Sequence, residues 1–332
     1  MIQLPLRRRS AAALAFVALF ALPIAQSAFA QQDVPPATPQ PAEAPDPNAM
    51  PSFPAPEAAD FTANAPSKEV ILGFLKATWG YDPNRLYQVQ RITKTAVDGV
   101  SSVVVLVGEK GNKQAGALQF FAMPDGKHII TAGEMLPFGD NPYAEARTAL
   151  LAKANGPSRG GAGKDLELVE FADFQCPHCK EAQATVEKIL ADFPKAHFVY
   201  QSFPLVKIHP QASRSAAYGA CVAKLGGDKA FFDYAAAVYD GQAGLSSDEG
   251  ATLTLNSAVT KAGQDPAKVE ACSKTPEAKA AIDADIKLAG DLNVTQTPFL
   301  FVNGRGIPLG GVPYDTLKLM ITWHQNNDGA AK

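Results

Sequence analysis

The chain has 332 residues, 46% of them hydrophobic, and carries 30 Lys and Arg against 33 Asp and Glu, a formal charge of −3. That length fits one or two ordinary domains. A charge this mild, with no Lys or Arg cluster beyond residue 30, excludes an electrostatic case for nucleic acid or an anionic membrane surface as partner.

Residues 1–30 read as an export signal. Arg7, Arg8 and Arg9 form a basic start, Ala11 to Ala25 is apolar but short for a membrane span, and Ala28-Phe29-Ala30 supplies a small-x-small cleavage pattern. Cleavage after Ala30 and an exported, periplasmic or extracytoplasmic protein are expected, with a retained N-terminal anchor as the alternative. Removing this segment moves the formal charge from −3 to −6. Residues 31–66 hold ten prolines among alanines and few large apolar side chains, which predicts a disordered, extended linker.

Residues 67–155 predict a small α+β domain. Ser67 stands as a helix cap before the apolar run Val70 to Leu75. Leu86 to Val97, Val100 to Val107 and Ala115 to Ala122 are strand-like, Asp98-Gly99 marks a hairpin turn, and Pro124-Asp125-Gly126-Lys127 leads into a strand from His128 to Ala132. Asn141 to Ala154 predicts a connecting helix with Pro142 in its first turn. Gly156 to Gly163, with four glycines and a proline, predicts an interdomain hinge.

The remaining elements, over 164–327, alternate strand and helix. Leu166, Leu168, Val169 and Phe171 make a buried strand, which runs into Phe171-Ala172-Asp173-Phe174-Gln175-Cys176-Pro177-His178-Cys179. A helix over Pro177 to Phe193 places Ala182, Val186, Ile189, Leu190 and Phe193 on one face, and His197 to Phe203 is the next strand. Helical sequence follows over about 209–292. Then come Thr297-Pro298, a strand over Phe299 to Val302, a short strand near Gly306 to Leu309 and a helix from Tyr314 to Trp323.

Two thiols spaced Cys-x-x-Cys at a helix start can close a small reducible ring. The unpaired amides and positive dipole end there stabilise a thiolate on the first. The same spacing is also half a zinc site, but no second Cys-x-x-Cys or His-x3-His is present to complete one. An even count of four cysteines in an exported chain makes pairing the default, which leaves Cys221 and Cys272 for a second bridge. Two separate buried thiols are the alternative.

Together, Glu170 to Lys180 with its Cys-Pro-His-Cys, Val294 to Gly304 with Thr297-Pro298, and Phe203-Pro204-Leu205 to Ala212 resemble the DsbA-like branch of the thioredoxin superfamily. The resemblance covers roughly half the chain, residues 164–325. It implies an α/β, thioredoxin-like fold with a helical insertion, preceded by the small α+β domain. It also implies a cis peptide before Pro298, set against the cysteine pair, with Thr297 and Pro298 binding an extended substrate chain.

Within this reading Cys176 is the nucleophile, Cys179 resolves the mixed disulfide, and Pro177 suits the first helical turn. His178 donates charge or a hydrogen bond to the Cys176 sulfur. Glu170 is implied to be the buried acid that exchanges a proton with Cys179. Asp173 reads as a loop acid and His209 as a structural residue of the insertion. The implied function is an exported thiol–disulfide oxidoreductase that needs no cofactor beyond its cysteine pair. Its partners are reduced or unfolded exported clients and a redox partner that resets the pair. One alternative is a disulfide isomerase made a homodimer by residues 67–155, since exported isomerases carry a dimerising front domain; a packing appendage is the blander role for that region. Another is a metal-binding module using Cys176, His178 and Cys179.

Overall fold

Two sequence periodicities build two sheets. The computed structural model describes residues 49–161 and 165–328 of the chain. The expected export signal and the first part of the expected linker, residues 31–48, lie outside them.

In the front region, Ser67 caps helix α1 (Lys68–Trp79) by accepting from the Val70 amide. Five strands follow as an antiparallel meander in chain order: β1 (Arg85–Lys94), β2 (Ser101–Glu109), β3 (Ala115–Ala122), β4 (His128–Thr131) and β5 (Glu134–Pro137). Gly99 adopts φ 76°, the left-handed turn conformation that the Asp-Gly signal predicts. Alternation along β2 and β3 turns Val103, Val105, Phe120 and Ala122 inward, where Ile71, Phe74 and Leu75 of α1 cover them. Helix α2 (Ala144–Lys153) leads out of this region.

Residues 49–66 are a correction to the linker expectation. The Ala49 carbonyl accepts from the Gly111 amide at 2.7 Å and the Pro54 carbonyl from Gln88 Nε2 at 2.6 Å. Thr62 and Ala63 both donate to the Ile92 carbonyl, and Phe61 packs against the front core. Prolines lack donors but keep their carbonyls, so an extended proline-rich strip covers the exposed edge of β1 without needing a full ladder.

The second sheet has the order β10-β9-β7-β8-β6, from β6 (Ser158–Gly160), β7 (Glu167–Ala172), β8 (His197–Ser202), β9 (Phe299–Val302) and β10 (Arg305–Pro308). β7 and β8 run parallel, and the other pairs are antiparallel. Every residue of β7 is buried. Leu168 and Ala172 face a core shared with helices α3 (Pro177–Asp192) and α4 (Ala212–Asp240), whereas Val169 and Phe171 face a second cluster on the opposite side. The helical insertion lies between β8 and β9 as α4 to α7, with α5 (Asp248–Lys261), α6 (Pro266–Ser273) and α7 (Pro276–Asp291) completing it. Helix α8 (Tyr314–Asn327) closes the chain's described part.

The hinge expectation for 156–163 also needs correction, for the described residues of that segment supply strand β6. A Cβ added at Gly156 would overlap the Tyr200 carbonyl, at Gly160 the Ala196 carbonyl and at Gly161 the Lys195 backbone. These glycines permit close backbone approach rather than motion.

The two sheets meet through Arg305. Its Nη1 donates to the Thr78 carbonyl at the end of α1 (2.6 Å) and lies 3.2 Å from His324 Nε2. The guanidinium also covers the rings of Tyr81 and Tyr143. A Cβ on Gly80 would overlap the Trp323 ring, so α1 and α8 are in direct contact.

Cys221 and Cys272 are bonded, joining α4 to α6 with Cα atoms 5.9 Å apart across 51 residues of chain. Closing a loop of this length removes unfolded-state entropy. The double variant Cys221→Ala/Cys272→Ala is therefore expected to lose about 2–4 kcal/mol in denaturant unfolding, with the fold retained.

Candidate active site

Strand β7 delivers the chain to the site. Its run of buried residues ends at Ala172, the turn Asp173 to Gln175 follows, and Cys176 becomes the N-terminal cap of α3. Pro177 occupies the first helical position, where its missing N–H costs nothing and its φ suits the helix. The Cys176 carbonyl accepts from the Cys179 and Lys180 amides, which fixes the pair's backbone geometry.

Both cysteines are reduced in this structure. Cys179 is fully buried, and desolvation, reinforced by its contact with the neighbouring sulfur, pushes its ionisation far above the ordinary thiol range. It therefore keeps its hydrogen. That hydrogen is the largest influence on Cys176, whose ionisation is drawn down to about 5 by the Cys179 thiol, then by Thr297 and by the Cys179 and His178 amides, against the opposing effect of burial. Helix-end amides contribute as the sequence suggests, but the partner thiol contributes more.

The Thr297–Pro298 peptide is cis and lies directly against the reactive sulfur: Cys176 Sγ is 3.7 Å from the Thr297 carbonyl oxygen. Cys176 is only 5% accessible, since the prolyl loop lies over it.

Glu170 is completely buried on the face of β7 that packs towards Cys179, and its charge raises the cost of ionising that thiol. Burial pushes the Glu170 carboxyl up to about 7, partly offset by the Arg159 guanidinium. Neither carboxyl oxygen has a hydrogen-bond partner; nearby Gln183 donates instead to the Cys179 carbonyl. A carboxyl that titrates near 7 on the buried face towards the Cys179 thiol is able to exchange a proton near neutral pH.

The His178 side chain departs from expectation. It is 72% exposed and its Nδ1 pairs with Glu181 at 3.1 Å, so only its backbone amide serves the Cys176 sulfur. Its place in the first turn of α3, beside an acid three residues on, turns the imidazole outward. The ring thus does not join the two sulfurs as a metal ligand set would, and among the described residues no three His, Cys, Asp or Glu side chains converge as one.

Asp173, read from sequence as a loop acid, is buried with both oxygens engaged. Oδ1 accepts from the Gln175 amide, and Oδ2 accepts from the Leu205 amide and from His209 Nδ1, each at 2.8 Å. Its own amide donates to Cys179 Sγ at 3.4 Å. Glutamines tie the same turn to the insertion. Gln242 Nε2 donates to the Phe174 and Cys176 carbonyls, Gln175 Nε2 to the Leu245 carbonyl, and the Gln211 amide to Gln175 Oε1. These residues carry no motif of their own. The one sequence signal was Asp173 lying in an otherwise apolar run.

Two measurements follow from this arrangement. Thiolate absorbance of the reduced protein should titrate with a midpoint of about 5, vanish in Cys176→Ser, and show no second step for Cys179 through the ordinary thiol range. Glu170 holds its proton to about 7 when folded but to about 4.5 when unfolded, so its contribution to stability is complete below 4.5 and is lost as pH rises to 7. In the oxidised protein, where neither thiol titrates, Glu170→Gln should abolish that loss, worth up to about 3 kcal/mol in denaturant unfolding compared between pH 4 and 8.

Comparison with known proteins places this site in a family. A family model described as Thioredoxin matches residues 155–321, half of the chain. Among curated proteins, the Na(+)/H(+) antiporter NhaA 3 of Salinispora tropica is 30% identical over 148 residues, 44% of this chain and 21% of that protein. The antiporter NhaA 1 of Mycolicibacterium vanbaalenii is 31% identical over 151 residues, 44% and 23% of the two chains. The chain spans about a fifth of the length of these relatives, and among its described residues no helix is long and apolar enough to cross a membrane. Solved structures that resemble it include a periplasmic thioredoxin-like protein from Salmonella enterica serovar Typhimurium (22% identity, TM-score 0.45, covering 55% of this chain and 97% of that one). DsbA2 of Pseudomonas aeruginosa is 27% identical with a TM-score of 0.43, covering 52% and 94%. A buried strand feeding a Cys-x-x-Cys helix, a prolyl loop against the first sulfur and a family match over half the sequence lead to one assignment: the chain belongs to the thioredoxin family.

Proposed function

We propose that this protein is an exported thiol–disulfide oxidoreductase that forms or exchanges disulfides in client proteins through Cys176 and Cys179. The observation that carries the reading is the division of labour between the sulfurs: Cys176 ionises at about 5 beside the Thr297–Pro298 loop, while buried Cys179 holds its hydrogen.

In the oxidised enzyme a client thiolate attacks Cys176 Sγ, a client–Cys176 bond forms, and the Cys176–Cys179 bond breaks. The departing Cys179 sulfur takes a proton from Glu170, since its buried thiolate is disfavoured. A second client thiolate then attacks the client sulfur, closing the client disulfide and expelling Cys176 as a stable thiolate. Two electrons pass from client to enzyme, and a partner dithiol or disulfide system resets the pair. No other cofactor enters these steps. Thr297 and Pro298 present an edge to an extended client segment, in the manner of strand addition. An acidic leaving sulfur favours the reduced enzyme and so the oxidising direction over isomerisation. Export rests on the basic start, apolar stretch and small-x-small pattern of residues 1–30.

The test is client trapping. Cys179→Ser charged with a reduced client should accumulate a mixed disulfide at Cys176, whereas Cys176→Ser should trap little and oxidise nothing. Equal trapping by both variants, or rescue of scrambled clients without net oxidation of reduced ones, would reject the oxidising assignment.

A further inference from the structure

We propose that Asp173 and His209 form a positioning pair that fixes the resolving Cys179 sulfur beside Cys176. The inference rests on the thiol-exchange reading above and assigns to it two residues outside the Cys-Pro-His-Cys motif.

The geometry is a chain of contacts from the insertion to the reactive sulfur. His209 precedes α4, is 15% exposed in its side chain, and donates through Nδ1 to Asp173 Oδ2 at 2.8 Å. The same oxygen receives the Leu205 amide, and the other receives the Gln175 amide. Three donors from two separate segments thus fix the carboxylate in a wholly buried site. An acid buried this completely is retained only if its lone pairs are met, and removing one donor leaves the others misaligned. The backbone of the fixed residue then acts on the pair, because the Asp173 amide donates to Cys179 Sγ at 3.4 Å. An N–H aimed at that sulfur occupies one of its lone-pair directions and so restricts where its S–H can point. The Cys176 thiolate depends more on that S–H than on any other group around it.

His209 is therefore more than packing at the start of the insertion. It sets the angle at which the resolving sulfur meets the attacking one. No proton moves between His209 and either sulfur in this scheme; the pair acts through geometry, and the two sulfurs alone change oxidation state.

The test uses the full-length protein with three variants and two readouts: the thiolate absorbance midpoint and the equilibrium constant with glutathione. Asp173→Asn and His209→Ala should raise the midpoint by about one pH unit, and the variants should oxidise glutathione about tenfold less favourably. His209→Asn, whose amide can place a donor where Nδ1 lies, should stay near the wild-type values. Packing alone would lower the melting temperature of His209→Ala and leave both readouts in place, and that result overturns the proposal. So does a His209→Asn variant shifted as far as His209→Ala. Should the variants not fold, the wild-type protein decides: the His209 ring nitrogen resonances should differ between oxidised and reduced states at fixed pH, and identical spectra overturn the pair. An ordinary thiol midpoint in the wild-type protein would instead defeat the parent reading and is separately visible.

Discussion

A thiol too buried to ionise, set against one that ionises readily, is the constraint on which the rest of the structure depends. The two sulfurs shift each other's ionisation in opposite directions, and the asymmetry of their surroundings decides which of them carries charge. Maintaining that asymmetry needs a strand buried on both faces, a helix that starts on the first cysteine, and a loop that closes over it. β7, α3 and the Thr297–Pro298 loop supply these in turn. The low-dielectric interior that keeps Cys179 neutral also raises Glu170, so burial shifts the thiol and the carboxyl in the same direction.

The helical insertion belongs to the same machinery. Gln242 caps two carbonyls of the cysteine turn, Gln175 reaches the Leu245 carbonyl, and His209 meets Asp173. Each bond is a neutral or charge-assisted contact worth roughly 0.5–3 kcal/mol net. Their common effect is to remove alternative conformations of a turn whose orientation decides the chemistry. The Cys221–Cys272 bridge then restrains the insertion itself, joining α4 to α6.

How much of this was legible in the sequence depends on the kind of signal. Strands and helices with clear periodicity, such as β3 at 115–122 and α3 from Pro177, could be placed closely because their patterns report burial directly. The Cys-x-x-Cys and Thr-Pro segments could be brought together only through family resemblance, since residues 121 apart carry no local sign of contact. Asp173 and the glutamines were opaque for a related reason: a polar residue in a loop looks the same whether it meets water or three buried donors. Composition misled twice. Prolines at 51, 54 and 56 suggested an unstructured tether, yet their stretch lies along β1; glycines at 156, 160 and 161 suggested mobility, yet they mark places where backbones nearly touch.

The Arg305 joint carries a mechanical meaning. A guanidinium bonded to the Thr78 carbonyl and stacked on Tyr81 and Tyr143 belongs at once to the front helix and to β10. β10 pairs with β9, and β9 begins one residue after Pro298. The front sheet is thus fastened to β10, and through β9 its orientation is tied to that of the prolyl loop beside the Cys176 sulfur.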